Sequence, residues 1–109
     1  LPGHDAVAWL LIENLGNAAD STTTMSWGAN SWSSSPSLRD MSGNEHFVVQ
    51  MEPGEIAYYA AHLPVPSNKA LGSTTTTSLE LCVGSGESKV CESVDLRFTA
   101  NGASALLNN

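Results

Sequence analysis

Residues 75–99 read TTTSLELCVGSGESKVCESVDLRFT, two alternating runs separated by a segment of glycine and serine. Thr75 to Val83 and Val90 to Thr99 have the period of two that marks β-strands, and the intervening glycines mark a hairpin. A two-residue turn at Gly86-Glu87, with glycine in the first central position, pairs Ser85 with Ser88, Val83 with Val90 and Cys82 with Cys91. Counted outward from the turn, Cys82 and Cys91 form a non-hydrogen-bonded pair. Standard ladder geometry then sets their Cα atoms about 4.5 Å apart, within disulfide reach. The same register gathers Leu79, Leu81, Val83, Val90, Val94, Leu96 and Phe98 on one face, where Glu92 is the single exception. The cysteines share the other face with Glu80, Lys89, Ser93, Asp95 and Arg97, so the expected bridge is a staple on the solvent side. Closing so short a loop is worth about 2–3 kcal/mol in the chain-entropy estimate, less a discount because a hairpin is already local.

The rest of the chain has the same texture. Ala6 to Glu13 reads as a buried strand closed by Leu15-Gly16-Asn17, where Gly and Asn tolerate positive φ. Thr22 to Trp27 is a second strand with Thr23, Met25 and Trp27 on one face. Gly28 to Pro36 is a serine-rich loop, Ser37 to Met41 a short edge strand, and Asp40 to Glu45 a polar turn. Pro53-Gly54 suits the central positions of a type II turn, and His46–Glu52 and Glu55–Leu63 flank it. If those flanks pair, Met51 faces Ile56 and Val49 faces Tyr58. Ile56, Tyr59, Ala60 and Leu63 also fit helical spacing, but Pro64 would cut such a helix to about two turns, and the strand is the preferred reading. The sum is an all-β, immunoglobulin-like two-sheet antiparallel sandwich of about seven strands, a single domain over residues 1–109. Cysteines only nine positions apart do not suit the inter-sheet bridge of an antibody domain.

Composition narrows the function classes. With 109 residues the chain holds one core and no second domain. Eleven Asp and Glu against four Lys and Arg give a net charge of −7. That excess argues against nucleic acid or an anionic membrane surface as the main partner, because both need a basic face. Fifteen Ser and eight Thr supply much of the polarity, and 41% hydrophobic residues keep the chain out of the disordered class. The longest uncharged apolar run, Ala6 to Ile12, is too short to span a bilayer, and no signal-peptide pattern is present. A start at Leu1 reads as a processed product or one module of something longer.

Two stretches carry a family resemblance. Ile12-Glu13-Asn14-Leu15-Gly16-Asn17, with Thr22 to Thr24 and Trp27 after it, resembles the N-x-G-N corner between strands of extracellular immunoglobulin-like repeats. Phe47-Val48-Val49-Gln50-Met51-Glu52-Pro53-Gly54-Glu55 is similar to the second landmark of these CARDB-like modules, an apolar strand running into L-x-P-G-E, with Met51 in place of the usual Leu. The resemblance implies a spacer, adhesive or assembly module of archaeal or bacterial surface proteins, and it implies no catalytic residue.

Candidate chemistry is sparse. His4, His46 and His62 could act as bases, but no Gly-x-Ser-x-Gly elbow accompanies them. Two cysteines and scattered histidines do not make a zinc site. Asp40, Asn44 and Glu45 put three oxygen donors in one turn, with Asp20 as a further candidate, yet no EF-hand-like loop is present and a solvated turn is the simpler reading. No cofactor is expected. Cys82 and Cys91, with no C-x-x-C, read as a structural disulfide and therefore an oxidising compartment, extracellular or at the cell surface. Trp9 and Trp27 are expected in the core. Trp32, flanked by Asn30, Ser31 and Ser33, is the ring expected to be exposed, with Asn30 beside it as a glycan contact. The Ser31–Ser37 and Thr74–Thr77 runs could carry O-linked sugars, and no N-glycosylation sequon occurs. The expected function is a non-catalytic structural, assembly or adhesion module of a surface filament, coat or multidomain protein, with like modules, other surface proteins or glycans as partners. The alternative is a small carbohydrate-binding module using Trp32.

Overall fold

A computed structural model describes residues 4–16, 20–21, 24–84 and 86–101. Nine strands follow in order: β1 (Asp5–Glu13), β2 (Asp20–Ser21), β3 (Thr24–Trp27), β4 (Ser37–Arg39), β5 (Glu45–His46), β6 (Gln50–Met51), β7 (Ile56–Pro64), β8 (Thr74–Val83) and β9 (Val90–Thr99). A 3-10 turn at Gly86–Ser88 is the only helical element among the described residues. The strands form two antiparallel sheets, β1-β7-β4-β5 and β3-β8-β9, with β2-β6 as a separate small pair. This is the expected two-sheet sandwich. With the short β2-β6 pair set aside, β1, β7 and the β4–β5 pair take the places of strands B, E and D of an immunoglobulin domain, and β3, β8 and β9 those of C, F and G.

The β8–β9 hairpin has the register that alternation demands. Cys82 opposes Cys91 and Val83 opposes Val90, and a disulfide joins the cysteines at a Cα separation of 4.1 Å. The tip differs from the expected two-residue turn. Gly86–Ser88 forms a 3-10 turn closed by the Lys89 amide donating to the Gly86 carbonyl. Gly84 sits at φ +83° with the Ser88 carbonyl 2.8 Å from where a Cβ would stand, so the chain needs glycine to enter the connection. Ser85 lies outside the described residues.

Around Pro53-Gly54 the turn is as read but the hairpin is not. The Glu55 amide donates to the Glu52 carbonyl, and Gly54 takes φ +76°, as a type II turn requires. Met51 does not meet Ile56, however. Ile56 pairs with Glu13 and Tyr58 with Leu11 along a nine-residue β1–β7 ladder, while β6 pairs with β2. The long apolar run of β1 offers β7 far more cross-strand contact than the two-residue β6 could. The helical alternative for residues 55–63 is overturned by the same ladder. β4 lies between β7 and β5, so it is an interior strand of its sheet and not an edge.

Phe98, Leu38, Leu63, Leu79 and Thr77 are the largest fully buried side chains, and they come from the facing surfaces of both sheets. Burying each of the larger apolar ones contributes about 1.5–3 kcal/mol. Thr75, Phe98 and Ala100 are buried at the end where β8 begins and β9 ends. There the Ser73 carbonyl accepts from the Ala100 amide and the Gly72 amide donates to the Ala100 carbonyl.

Candidate functional site

At the opposite end the two sheets part. β1 and β9 are the outermost strands of their sheets on the same side of the sandwich, and a cleft of about 810 Å³ opens between them. Leu10 and Ile12 of β1, Leu81 and Val83 of β8, and Val90 and Val94 of β9 supply its apolar walls. Glu92 stands on its inner face, Glu13 and Asp95 border it from outward-facing positions of β1 and β9, and no Lys, Arg or His lines it among the described residues. Val90 and Val94 remain exposed although their register places them on the core face.

Both flanking strands also have an unpaired edge among the described residues. On β1, hydrogen bonds from the Asn14 amide to the Glu55 carbonyl and from the Val65 amide to the His4 carbonyl show that even-numbered residues face β7. The amides and carbonyls of Asp5, Val7, Trp9, Leu11 and Glu13 therefore point outward. On β9 the Ala100–Ser73 bond fixes the same parity, so those of Cys91, Ser93, Asp95, Arg97 and Thr99 point away from β8. Two parallel rows of free ladder groups thus flank an apolar trough.

A second apolar surface lies on the outer face of the same β1–β7 pair. Trp9 is 63% exposed and Tyr58 61%, with Val7, Leu11 and Ile56 around them. Trp9 is thus not a core residue: the odd positions of β1 face away from the second sheet, and nothing among the described residues covers them. Trp27 is half-buried and packs against the core.

Trp32 is corrected in the other sense. It is only 5% exposed and belongs to the core cluster. The Ser31 amide and hydroxyl both donate to the Thr75 hydroxyl, at 3.0 and 2.8 Å, which pins the loop to β8 and turns the indole inward. Asn30 is occupied inside the same loop, donating to the Ser34 carbonyl and accepting from the Ser34 amide. The Trp32–Asn30 pair is not an exposed glycan patch.

Asp40 closes an Asx-type turn. Its Oδ1 accepts from the amides of Ser42 and Asn44, and its Oδ2 lies 2.6 Å from Nε2 of His46. The His46 hydrogen bond, the Asn44 and Ser42 amides and the His46 charge hold its carboxyl below the usual value, against a smaller opposing effect of burial. Both oxygens are committed to this turn, and Glu45 is an exposed β5 residue opposite Arg39. The side chain of Asp20 lies outside what is described. Burial, then the charges of Glu55 and Asp40, raise the Tyr59 pKa. His62 Nδ1 and the Arg39 guanidinium both approach Asp5 Oδ2, at 3.2 and 3.9 Å. Glu80, Cys82 and Cys91 are the only acid, cysteine or histidine group of metal-site size among the described residues, and the disulfide leaves it no thiolate.

The sequence reading missed the cleft and the Trp9–Tyr58 surface. One signal pointed to both: residues 6–12 are apolar on every position, the pattern of a strand covered on two faces, yet β1 is at a sheet edge. No family model, curated protein or solved structure matches this chain.

Proposed function

We propose that this domain is a non-catalytic structural module of an extracellular assembly, a surface filament, coat or multidomain surface protein, which associates with its neighbours through the β1 and β9 edges. The observation that carries the reading is the apolar cleft flanked by two rows of ladder groups that have no partner among the described residues. Edge strands that carry no bulge or proline are templates for strand pairing, and the one inward charge here, Glu92 on β9, restricts which strand can pair without excluding pairing. The disulfide supports an oxidising location, and the resemblance to CARDB-like surface repeats points the same way.

The test uses proline at positions whose amides face outward, Leu11→Pro and Ser93→Pro, which remove edge donors without cutting the β1–β7 or β8–β9 ladders. In the native cell the wild-type domain is expected in a large surface-associated assembly. The double variant, shown to be folded by its circular dichroism, is expected to be released in unassembled form. Equal incorporation of both, or a wild-type domain that is free and unassembled, would overturn the proposal.

The exposed pair Trp9 and Tyr58 favours a second reading, glycan binding by ring stacking on the outer face of β1 and β7. Retention of the domain on a polysaccharide, lost in Trp9→Ala and kept in the proline variant, would select it.

A further inference from the structure

Glu92 is the key to what the cleft receives. It stands on the core face of β9 between Val90 and Val94, opposite Leu81. In the open cleft its carboxylate is exposed to water. Any strand laid between β1 and β9 would cover it, and an apolar side chain placed over it would bury an unpaired charge. Glu13 and Asp95 also line the cleft, but alternation points their side chains to the outer faces of β1 and β9, so Glu92 is the one charge on the inner face, with no cation among the lining residues.

We infer that the cleft receives an extended segment of a separate polypeptide, apolar at alternate residues and carrying one Lys or Arg that meets Glu92. This rests on the associative reading above and specifies the partner. Backbone pairing to the outward groups of Ser93, Asp95 and Arg97 supplies affinity, the apolar positions fill the space between Ile12, Val83 and Val94, and the cation fixes the register. Two segments within residues 1–109 do not supply that cation: residues 102–109 carry no charge, and β1 of a second copy has Asp5 and Glu13 at its ends and no Lys or Arg.

The experiment titrates the full, disulfide-intact chain with extended peptides of about nine residues, Val and Thr alternating, with Lys, Leu or Glu at the central inward position. The Lys peptide is expected to bind roughly tenfold more tightly than the Leu peptide, a preference that falls with added salt. It is also expected to slow amide exchange at Ser93 and Asp95. Glu92→Lys is expected to move the preference to the Glu peptide, and Glu92→Leu to the Leu peptide. Equal or tighter binding of the Leu peptide to the wild type, or a Lys preference that survives Glu92→Leu, overturns the cation requirement while leaving strand association standing. No peptide binding, with cross-links placing a second copy or residues 102–109 in the cleft, overturns the separate partner. No peptide binding and no association of any kind overturns this inference and the proposed function together.

Discussion

The Asn14 side-chain amide donates to the Met51 carbonyl at 3.1 Å, tying together positions 37 residues apart in the chain. The two stretches that resemble surface repeats therefore meet in space. Asn14 Oδ1 accepts from the Gly16 amide, and its backbone exchanges hydrogen bonds with Gly54 and Glu55. The Asn-x-Gly corner and the Pro-Gly-Glu turn are two halves of one joint, set at the mouth of the cleft. Removing the side chain leaves the part-buried Met51 carbonyl without this donor, so Asn14→Ala should lower stability by about 1–2 kcal/mol. Denaturant melts would show it, and an unchanged midpoint would mean that the joint is held by its backbone alone.

The Cys82–Cys91 bridge joins a central strand to an edge strand. Cys82 is buried with Thr24 and Cys91 across from it, whereas Cys91 is exposed, so the staple is less solvent-facing than alternation alone suggests. The ladder below it runs eight residue pairs, from Leu81 opposite Glu92 to Thr74 opposite Thr99, without the bridge's help. Reduction should therefore cost about 1–3 kcal/mol and lower Tm by roughly 10 °C while the sheet signature persists. Complete loss of structure on reduction would show that the covalent link, and not the apolar face, specifies the hairpin.

What was legible in the sequence was local. The β8–β9 register, the type II turn at Pro53-Gly54 and the disulfide each follow from residues a few positions apart, where turn chemistry and alternation act directly. Partner choice was not legible. Whether β7 pairs with β6 or β1 depends on competing ladders from distant parts of the chain, and the longer, more apolar β1 prevails. The tryptophans show the same limit. A loop position suggested that Trp32 was exposed, but one tertiary contact, Ser31 with Thr75, folds it inward. A hydrophobic neighbourhood suggested that Trp9 was buried, but the sheet edge leaves its face uncovered. The cleft was hidden for a related reason, since it is made where two sheets fail to meet.

Those two indoles give opposite expectations. Trp32→Ala removes a core ring and should cost about 3–5 kcal/mol, enough to unfold a marginal domain. Trp9→Ala, on an exposed face, should leave Tm nearly unchanged. Thermal melts of the two variants, side by side, decide the matter. Comparable losses would mean that the Trp9 face is covered in the free domain.

Thr77 is fully buried, and its hydroxyl finds no hydrogen-bond partner among the described residues. It lies on the core face of β8 opposite Leu96. Thr77→Val keeps the shape and the β-branching while removing an unsatisfied polar atom. A gain of about 1 kcal/mol is expected, with Tm higher by roughly 5 °C. A lower Tm would show that the hydroxyl is satisfied after all.

The Asp40–His46 contact makes a signed prediction about acid. The His46 hydrogen bond leads the interactions that depress the Asp40 pKa below its ordinary 3.8, followed by the amides of Asn44 and Ser42. A carboxyl with a lowered folded-state pKa stabilises the fold above its unfolded value, and that contribution disappears as pH falls through the lower, folded value. Asp40→Asn keeps the shape of the turn but loses the charge. The wild type should thus melt higher than Asp40→Asn above pH 3.8, and the gap should close as pH falls below that value and Asp40 takes up its proton. A gap that stays constant or widens over that range would mean that the ionised carboxylate does not hold the turn, and that the loop from Asp40 to His46 is ordered by its backbone hydrogen bonds.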